Sequence, residues 1–247
     1  MVETGKFLYH VTPIRNLGDI FATALNCRAR MSGRPGWVQF PGVADHLRKR
    51  PIPLTGRDIT AYVPLSFCID APFLYDLTDE GSSWGQHQHR GGYHALVDND
   101  DVAILCLDGS KVLDLDGVIY TDGDDRLQNV RFYESSEALN HVDWSAVTAR
   151  VCLDDTVKMR KAAEVLVPGT VPSRLIVSVI LYSHLGLEYV QDVLCDLADR
   201  CAEGDHRFAG FMNVLKVQPD AYFPQYAGTG LAAGHGRIVG MQEQDDG

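Results

Sequence analysis

Glu164 ends a run of positive charge and opens a run of apolar, mostly β-branched residues in the stretch Arg160-Lys161-Ala162-Ala163-Glu164-Val165-Leu166-Val167. With residues 165–167 as a strand, a period of two places Glu164 on the face of Leu166, so a carboxylate stands at the mouth of a half-buried surface. Burying it requires donors, which Arg160 and Lys161 could supply; an ordinary glutamate at the exposed end of an edge strand is the plainer alternative. His10 and Thr12 form a second group, just before Pro13 and apolar residues at helical spacing, Ile14, Leu17, Ile20, Phe21 and Leu25. A hydroxyl followed by proline predicts a helix start with Thr12 as N-cap, at a strand-to-helix junction where outward N–H groups hold polar or anionic ligands. The histidine would equally serve as a cap or packing residue. A third group, Arg48, Lys49 and Arg50, ends a helix expected over 43–50 and stopped by Pro51 and Pro53. Three cations there suit a pyrophosphate, and also the negative end of a helix.

These groups contain no nucleophile set. There is no P-loop, no GxGxxG after a strand and no HExxH. A lone carboxylate beside a polar pocket can instead assist cleavage of a glycosidic bond, because it stabilises the oxocarbenium-like charge as it develops. The C1–N bond of NAD is such a bond. His87, His89 and His94 lie in a Gly-, His- and Asp-rich insertion over 80–101 and match no tetrahedral template, and the acidic run 121–125 lacks calcium-loop spacing, so no metal is expected.

The elements that must position these groups follow from pattern. Strands are expected at 7–11, 59–67, 102–107, 176–182 and 214–217, and a hairpin around Asp116-Gly117 joining 112–115 to 118–120. Helices are expected at 137–150 and 187–201, with 27–57 read as an Arg-, Gly- and Pro-rich loop apart from the short basic helix, and Pro168, Gly169 and Pro172 as a turn. No repeat or linker divides the chain, so one α+β domain over 1–226, with a frayed Gly- and Ala-rich tail over 227–247, is the economical reading.

Composition bounds the partners. The 247 residues carry a net charge of −11, yet residues 1–60 hold nine basic side chains against four acidic ones, a net of +5 that leaves −16 for the remainder. A local basic face on an acidic molecule suits a dinucleotide or a short single strand and argues against tight binding to long duplex; a solvated charged face is the alternative. The longest apolar run, 175–182, cannot span a bilayer, and MVETGKFLYH has no secretory pattern. Six scattered cysteines without a CxxC pair read as reduced and mostly buried, as expected of a cytoplasmic protein.

Several ordered segments together resemble one family. They are Tyr9-His10-Val11-Thr12-Pro13-Ile14-Arg15-Asn16-Leu17, Asp58 to Leu65 with Tyr62-Val63-Pro64, Pro72-Phe73-Leu74-Tyr75, Tyr120-Thr121-Asp122-Gly123, Arg131-Phe132-Tyr133 and Arg160 to Val167. In this order, over roughly residues 7–223, the chain resembles the DarT family of DNA ADP-ribosyltransferase toxins. That resemblance implies a single-domain ADP-ribosyltransferase fold with a central mixed, mainly antiparallel sheet. It implies transfer of ADP-ribose from NAD to a thymine or guanine of single-stranded DNA by a monomer, reversed by a macrodomain antitoxin. Carried over, Glu164 is the catalytic carboxylate, and His10, Val11, Thr12 and Asp19 hold the NAD. The family's catalytic arginine precedes a Val-Pro-like step, here Ile52-Pro53; the register falls on Leu47, so Arg48 beside it is taken first, with Arg50 second, and both are expected to bind NAD. Tyr62, Tyr75, Thr121 and Arg131 are expected to meet the DNA. The rival readings are an ADP-ribosyltransferase acting on RNA or protein, NAD hydrolysis without an acceptor, and an inactive module that binds NAD or nucleic acid.

Overall fold

The computed structural model describes residues 6–40, 51–72, 74, 97–124, 130–149, 155–200 and 208–222. The expected helix over 43–50, residues 80–96 of the histidine insertion with His87, His89 and His94, and the tail lie outside them. The strands among the described residues are β1 (Phe7–Pro13), β2 (Ala24–Asn26), β3 (Tyr62–Ser66), β4 (Val102–Asp108), β5 (Ile119–Thr121), β6 (Phe132–Tyr133), β7 (Glu164–Pro168), β8 (Thr170–Pro172), β9 (Ile176–Leu181) and β10 (Leu215–Val217). The helices described over their full length are α1 (Leu17–Ala22), α2 (Arg28–Met31), α3 (Gly109–Leu113), α4 (Trp144–Val147), α5 (Asp155–Lys161), α6 (His184–Asp199) and α7 (Ala209–Met212).

Eight strands form one sheet in the order β10-β9-β4-β1-β3-β7-β5-β6, parallel only between β9 and β10, and β2 pairs with β8 separately. The mixed, mainly antiparallel α+β sheet is therefore as the sequence indicated. Alternation assigns its faces. Leu8, Val63, Leu65, Leu105, Val165 and Val167 point to the main core, where Leu17, Ile20 and Phe21 of α1 and Val190 and Leu194 of α6 cover them. Helix α6 earns its place by an apolar stripe, Gly186, Val190 and Leu194 at four-residue spacing, and by Ser183, whose hydroxyl caps the N–H groups of Leu185 and Gly186. Tyr222 closes the opposite layer: fully buried, its hydroxyl donates to the Val102 carbonyl at 2.7 Å.

Several expectations are corrected. Thr12 is not an N-cap: β1 pairs with β4 along all seven residues to Pro13↔Val102, and the first helical turn, a 3-10 turn, begins only at Ile14. The strand ladder there outweighs the local capping preference. Residues 112–115 are no hairpin strand, because the Asp108 carboxylate accepts from the Lys111 N–H and starts α3. The helix expected over 137–150 breaks into a 3-10 turn, Ser136–Asn140, and the short α4, since Asp143 caps a new start. Residues 59–61 form a 3-10 turn capped by Asp58 ahead of β3, and α6 begins at His184 and ends at Asp199. Strand β8 and helix α2 arise in stretches read as turn and loop, and β2 forms where Leu25 was counted in the helical spacing, because α1 ends at Ala22 and residues 24–26 pair with β8. Cys27, Cys68 and Cys106 are buried free thiols, but Cys195 is exposed. No helix among the described residues is long and apolar enough to cross a membrane.

Candidate active site

The site begins where the central ladder opens. Strands β1 and β3 share one residue pair, Tyr9↔Ser66. Beyond it stands Pro64, which has no N–H to offer β1, and its carbonyl accepts instead from His10 Nδ1 at 2.9 Å. A cleft of about 180 Å³ lies at this divergence, lined by β1, by Tyr62, Pro64 and Ser66 of β3, by Glu164 and Leu166 of β7, and by residues 37–40.

Burial lowers the pKa of His10 from its ordinary value, against a smaller opposing effect of the Pro64 carbonyl. The ring is therefore neutral at pH 7, with its proton on Nδ1 and its Nε2 lone pair available as an acceptor. Thr12 is buried, and Asn16 stands beside it with two good bonds to the far wall. Asn16 Nδ2 donates to the Val38 carbonyl at 2.8 Å, and the Val38 N–H donates to Asn16 Oδ1 at 2.9 Å. This amide imitates a strand partner and fixes residues 37–40 over the cleft. Val11 and Asp19 also line it. One Asp19 oxygen meets Arg34 at 2.7 Å, while Oδ2 is buried with no hydrogen-bond partner among the described residues. The Tyr9 hydroxyl stays protonated, since burial above all, then the neighbouring Cys106, Cys68 and Asp70, pushes its pKa up to about 12.

Glu164 is half-buried at the first position of β7, paired with Ser66, and lies on the cleft face as the alternation with Leu166 requires. The donors suggested by sequence are turned away from it: Arg160 meets Asp143 at 3.0 Å, and the buried Lys161 Nζ lies 2.6 Å from Asp70 Oδ2 and 2.6 Å from the Ala149 carbonyl. Tyr62 is buried in the cleft wall with its hydroxyl 3.0 Å from Thr55 Oγ1. Thr121 is buried and bonded to the Glu164 main chain, and Arg131 is exposed with its N–H on Asp122 Oδ1, so neither lines the cleft. Arg48, Arg50 and Tyr75 lie outside the described residues. The structure thus brings His10, Val11, Thr12, Asp19, Tyr62 and Glu164 together. It adds Arg28, the one lysine or arginine among the described lining residues, at the head of the short α2 that sequence reading left as loop.

Two solved structures share the fold: Thermus sp. 2.9 DarT in complex with NAD+ (TM-score 0.65, 23% identity, 89% of this chain and 98% of that one) and the same protein in complex with ADP-ribosylated ssDNA (TM-score 0.67, 23% identity, 89% and 97%). Thermosipho africanus DarTG in complex with ADP-ribose also matches, at TM-score 0.65 and 20% identity over 88% of this chain and 50% of that one. Among characterised sequences, a DNA ADP-ribosyl transferase of Thermus sp. (strain 2.9) is 24% identical over 192 residues, 76% of this chain and 86% of the relative. One from Escherichia coli O127:H6 is 27% identical over 178 residues, 68% and 77%. The family model described as "ssDNA thymidine ADP-ribosyltransferase, DarT" matches residues 9–223, and the chain belongs to that family, the NAD-dependent DNA ADP-ribosyltransferases.

Proposed function

We propose that this enzyme transfers ADP-ribose from NAD to a base of single-stranded DNA, with Glu164 as its catalytic carboxylate. The observation that carries this reading is the convergence of Glu164 from β7 with His10 and Thr12 from β1 on one cleft whose one described cation is Arg28. NAD offers what these groups complement. The neutral His10 Nε2 accepts from a ribose hydroxyl, Asp19 Oδ2 accepts from another, and Arg28 meets a pyrophosphate oxygen. Arg48, or failing it Arg50, adds a second cation there, and residues 1–226 form the enzymatic unit.

The reaction needs little covalent help. As the bond from ribose C1 to nicotinamide lengthens, nicotinamide leaves with the electron pair and becomes neutral, and Glu164 stabilises the positive charge left on the sugar. A base nitrogen forms the new bond to C1 and loses its proton to Glu164 and then to solvent. Thymine has one ring N–H, the one used in pairing with adenine. Only an unpaired thymine presents it without the cost of opening a duplex, which accounts for a single-stranded substrate. The family description names thymidine and favours that base over guanine. We further infer that the mark is removed by a macrodomain antitoxin; the DarTG relative, of which this chain covers 50%, is consistent with a second module beside the transferase.

The test is incubation with NAD and single-stranded DNA oligonucleotides containing one reactive base each, beside RNA and a protein mixture, read by mass spectrometry with Glu164→Ala in parallel. The expected outcome is an ADP-ribose adduct on thymine-containing DNA that is lost in Glu164→Ala while the thermal midpoint is kept. An adduct on RNA or protein alone, or nicotinamide release without any adduct, would replace this reading.

A further inference from the structure

Strand β5 runs beside β7 for two pairs, Ile119↔Leu166 and Tyr120↔Val165. The next step would set Thr121 opposite Glu164, but no ladder pair forms there. A side chain takes its place: the Glu164 N–H donates to Thr121 Oγ1 at 2.9 Å, and the Thr121 hydroxyl donates to the Gly123 carbonyl at 2.8 Å. Thr121 is 1% exposed, and its hydroxyl reaches a nucleic acid only by giving up both bonds. The turn that follows is stitched on two more sides, by Asp124 N–H on the Met159 carbonyl at 3.0 Å and by Asp122 Oδ1, which accepts from the Arg131 N–H at 2.9 Å. On its other flank Glu164 is held by the pair with Ser66.

We propose that Thr121 is a positioning residue for Glu164: its buried hydroxyl fixes the main chain on which the catalytic carboxylate stands, and it makes no contact with DNA. This rests on the reading of Glu164 given above. A β-branched side chain suits the task, because its χ1 is restricted and the hydroxyl is held on the amide rather than swinging away. A ladder rung would have fixed the same amide, but it would also have drawn the turn 121–124 into the sheet. The hydroxyl holds Glu164 while leaving that turn free to bend toward α5. The carboxylate is thus aimed from behind, by a group the substrate never meets.

The experiment compares Thr121→Val, Thr121→Ser and Thr121→Cys with the wild type and Glu164→Ala, using NAD and a thymine-containing oligonucleotide. Valine keeps the volume and removes the hydroxyl, leaving the Glu164 amide unpaired. The expected result is a fall in kcat of about 10- to 100-fold, with KM for NAD and for the oligonucleotide within about twofold of wild type, because a carboxylate displaced by a fraction of an ångström loses transition-state rather than ground-state interactions. Serine restores most of kcat and cysteine falls between, which also decides the matter if the valine protein does not fold. Three outcomes overturn the proposal alone: wild-type kcat in the valine and cysteine proteins with Glu164→Ala inactive, a raised KM for the oligonucleotide at unchanged kcat, or a serine protein as slow as the valine one. Retained turnover in Glu164→Ala overturns both this inference and the reading beneath it.

Discussion

His10 gives the fold a pH dependence at the scale of a single residue. Its pKa is lowered in the folded protein because burial disfavours the imidazolium, so below about 6.5 the unfolded chain takes up a proton that the folded chain refuses. Stability present above about pH 6.5 is therefore lost as pH falls through the window down to the lowered folded value. His10→Asn keeps an N–H for the Pro64 carbonyl and removes the titration. Its thermal midpoint, measured by calorimetry, should fall less between pH 7 and pH 5 than that of the wild type, and an equal fall would show that the ring is not held neutral. His10 and Thr12 could be picked out in the sequence because they stand just before a proline and a helical period, and Glu164 because it opens an alternating apolar run. Arg28 could not, since a four-residue helix carries too few positions for a period to register. Thr121 was legible as a residue near the chemistry but not as to its side, because nothing in Tyr-Thr-Asp-Gly says whether the hydroxyl faces substrate or backbone.

Between elements, the buried pair of Lys161 and Asp70 joins the end of α5 to the loop after β3, two segments that leave the sheet where Glu164 and Ser66 are paired. Their side chains are 2% and 10% exposed, so the pair is worth little as net stabilisation but much as a constraint. Lys161→Met leaves the Asp70 charge and the Ala149 carbonyl uncompensated and should cost about 3–5 kcal/mol in urea unfolding, while the double variant Lys161→Met/Asp70→Leu should recover most of that. A double variant no more stable than the single one would mean that Lys161 matters for its packing alone. Sequence reading sent Lys161 toward Glu164, three positions on, because proximity along the chain was the only distance available. The partner that captured it is 91 residues away, and no local pattern announces a contact of that span. The same limit explains the strand at 7–13, seen from its β-rich start but cut short at Val11, since pairing with β4 is what carries it through Thr12 and Pro13.

For the whole molecule, Tyr222 ties the C-terminal part of the described chain to the sheet. Its ring is fully buried and its hydroxyl bonds the Val102 carbonyl at the start of β4. A chain ending after residue 226 should keep the thermal midpoint and the turnover of the full-length protein. One ending before Tyr222 should lose about 3–5 kcal/mol, the usual cost of removing a large buried aromatic side chain, and equal stability of the two would remove Tyr222 from the fold's essentials. The overall α+β class was legible because the strands are short, apolar and separated by strong turn signals; their order in the sheet was not, because pairing is set by the face each strand buries. That order has a consequence for ligand and fold alike. The lone pair Tyr9↔Ser66 divides the eight strands into two leaves of four, β10-β9-β4-β1 and β3-β7-β5-β6, with His10 on one leaf and Glu164 on the other. Under the function proposed above, a dinucleotide touching both would bridge the leaves where the ladder leaves off, so that to recognise NAD and to finish building the sheet would be, for this chain, one act.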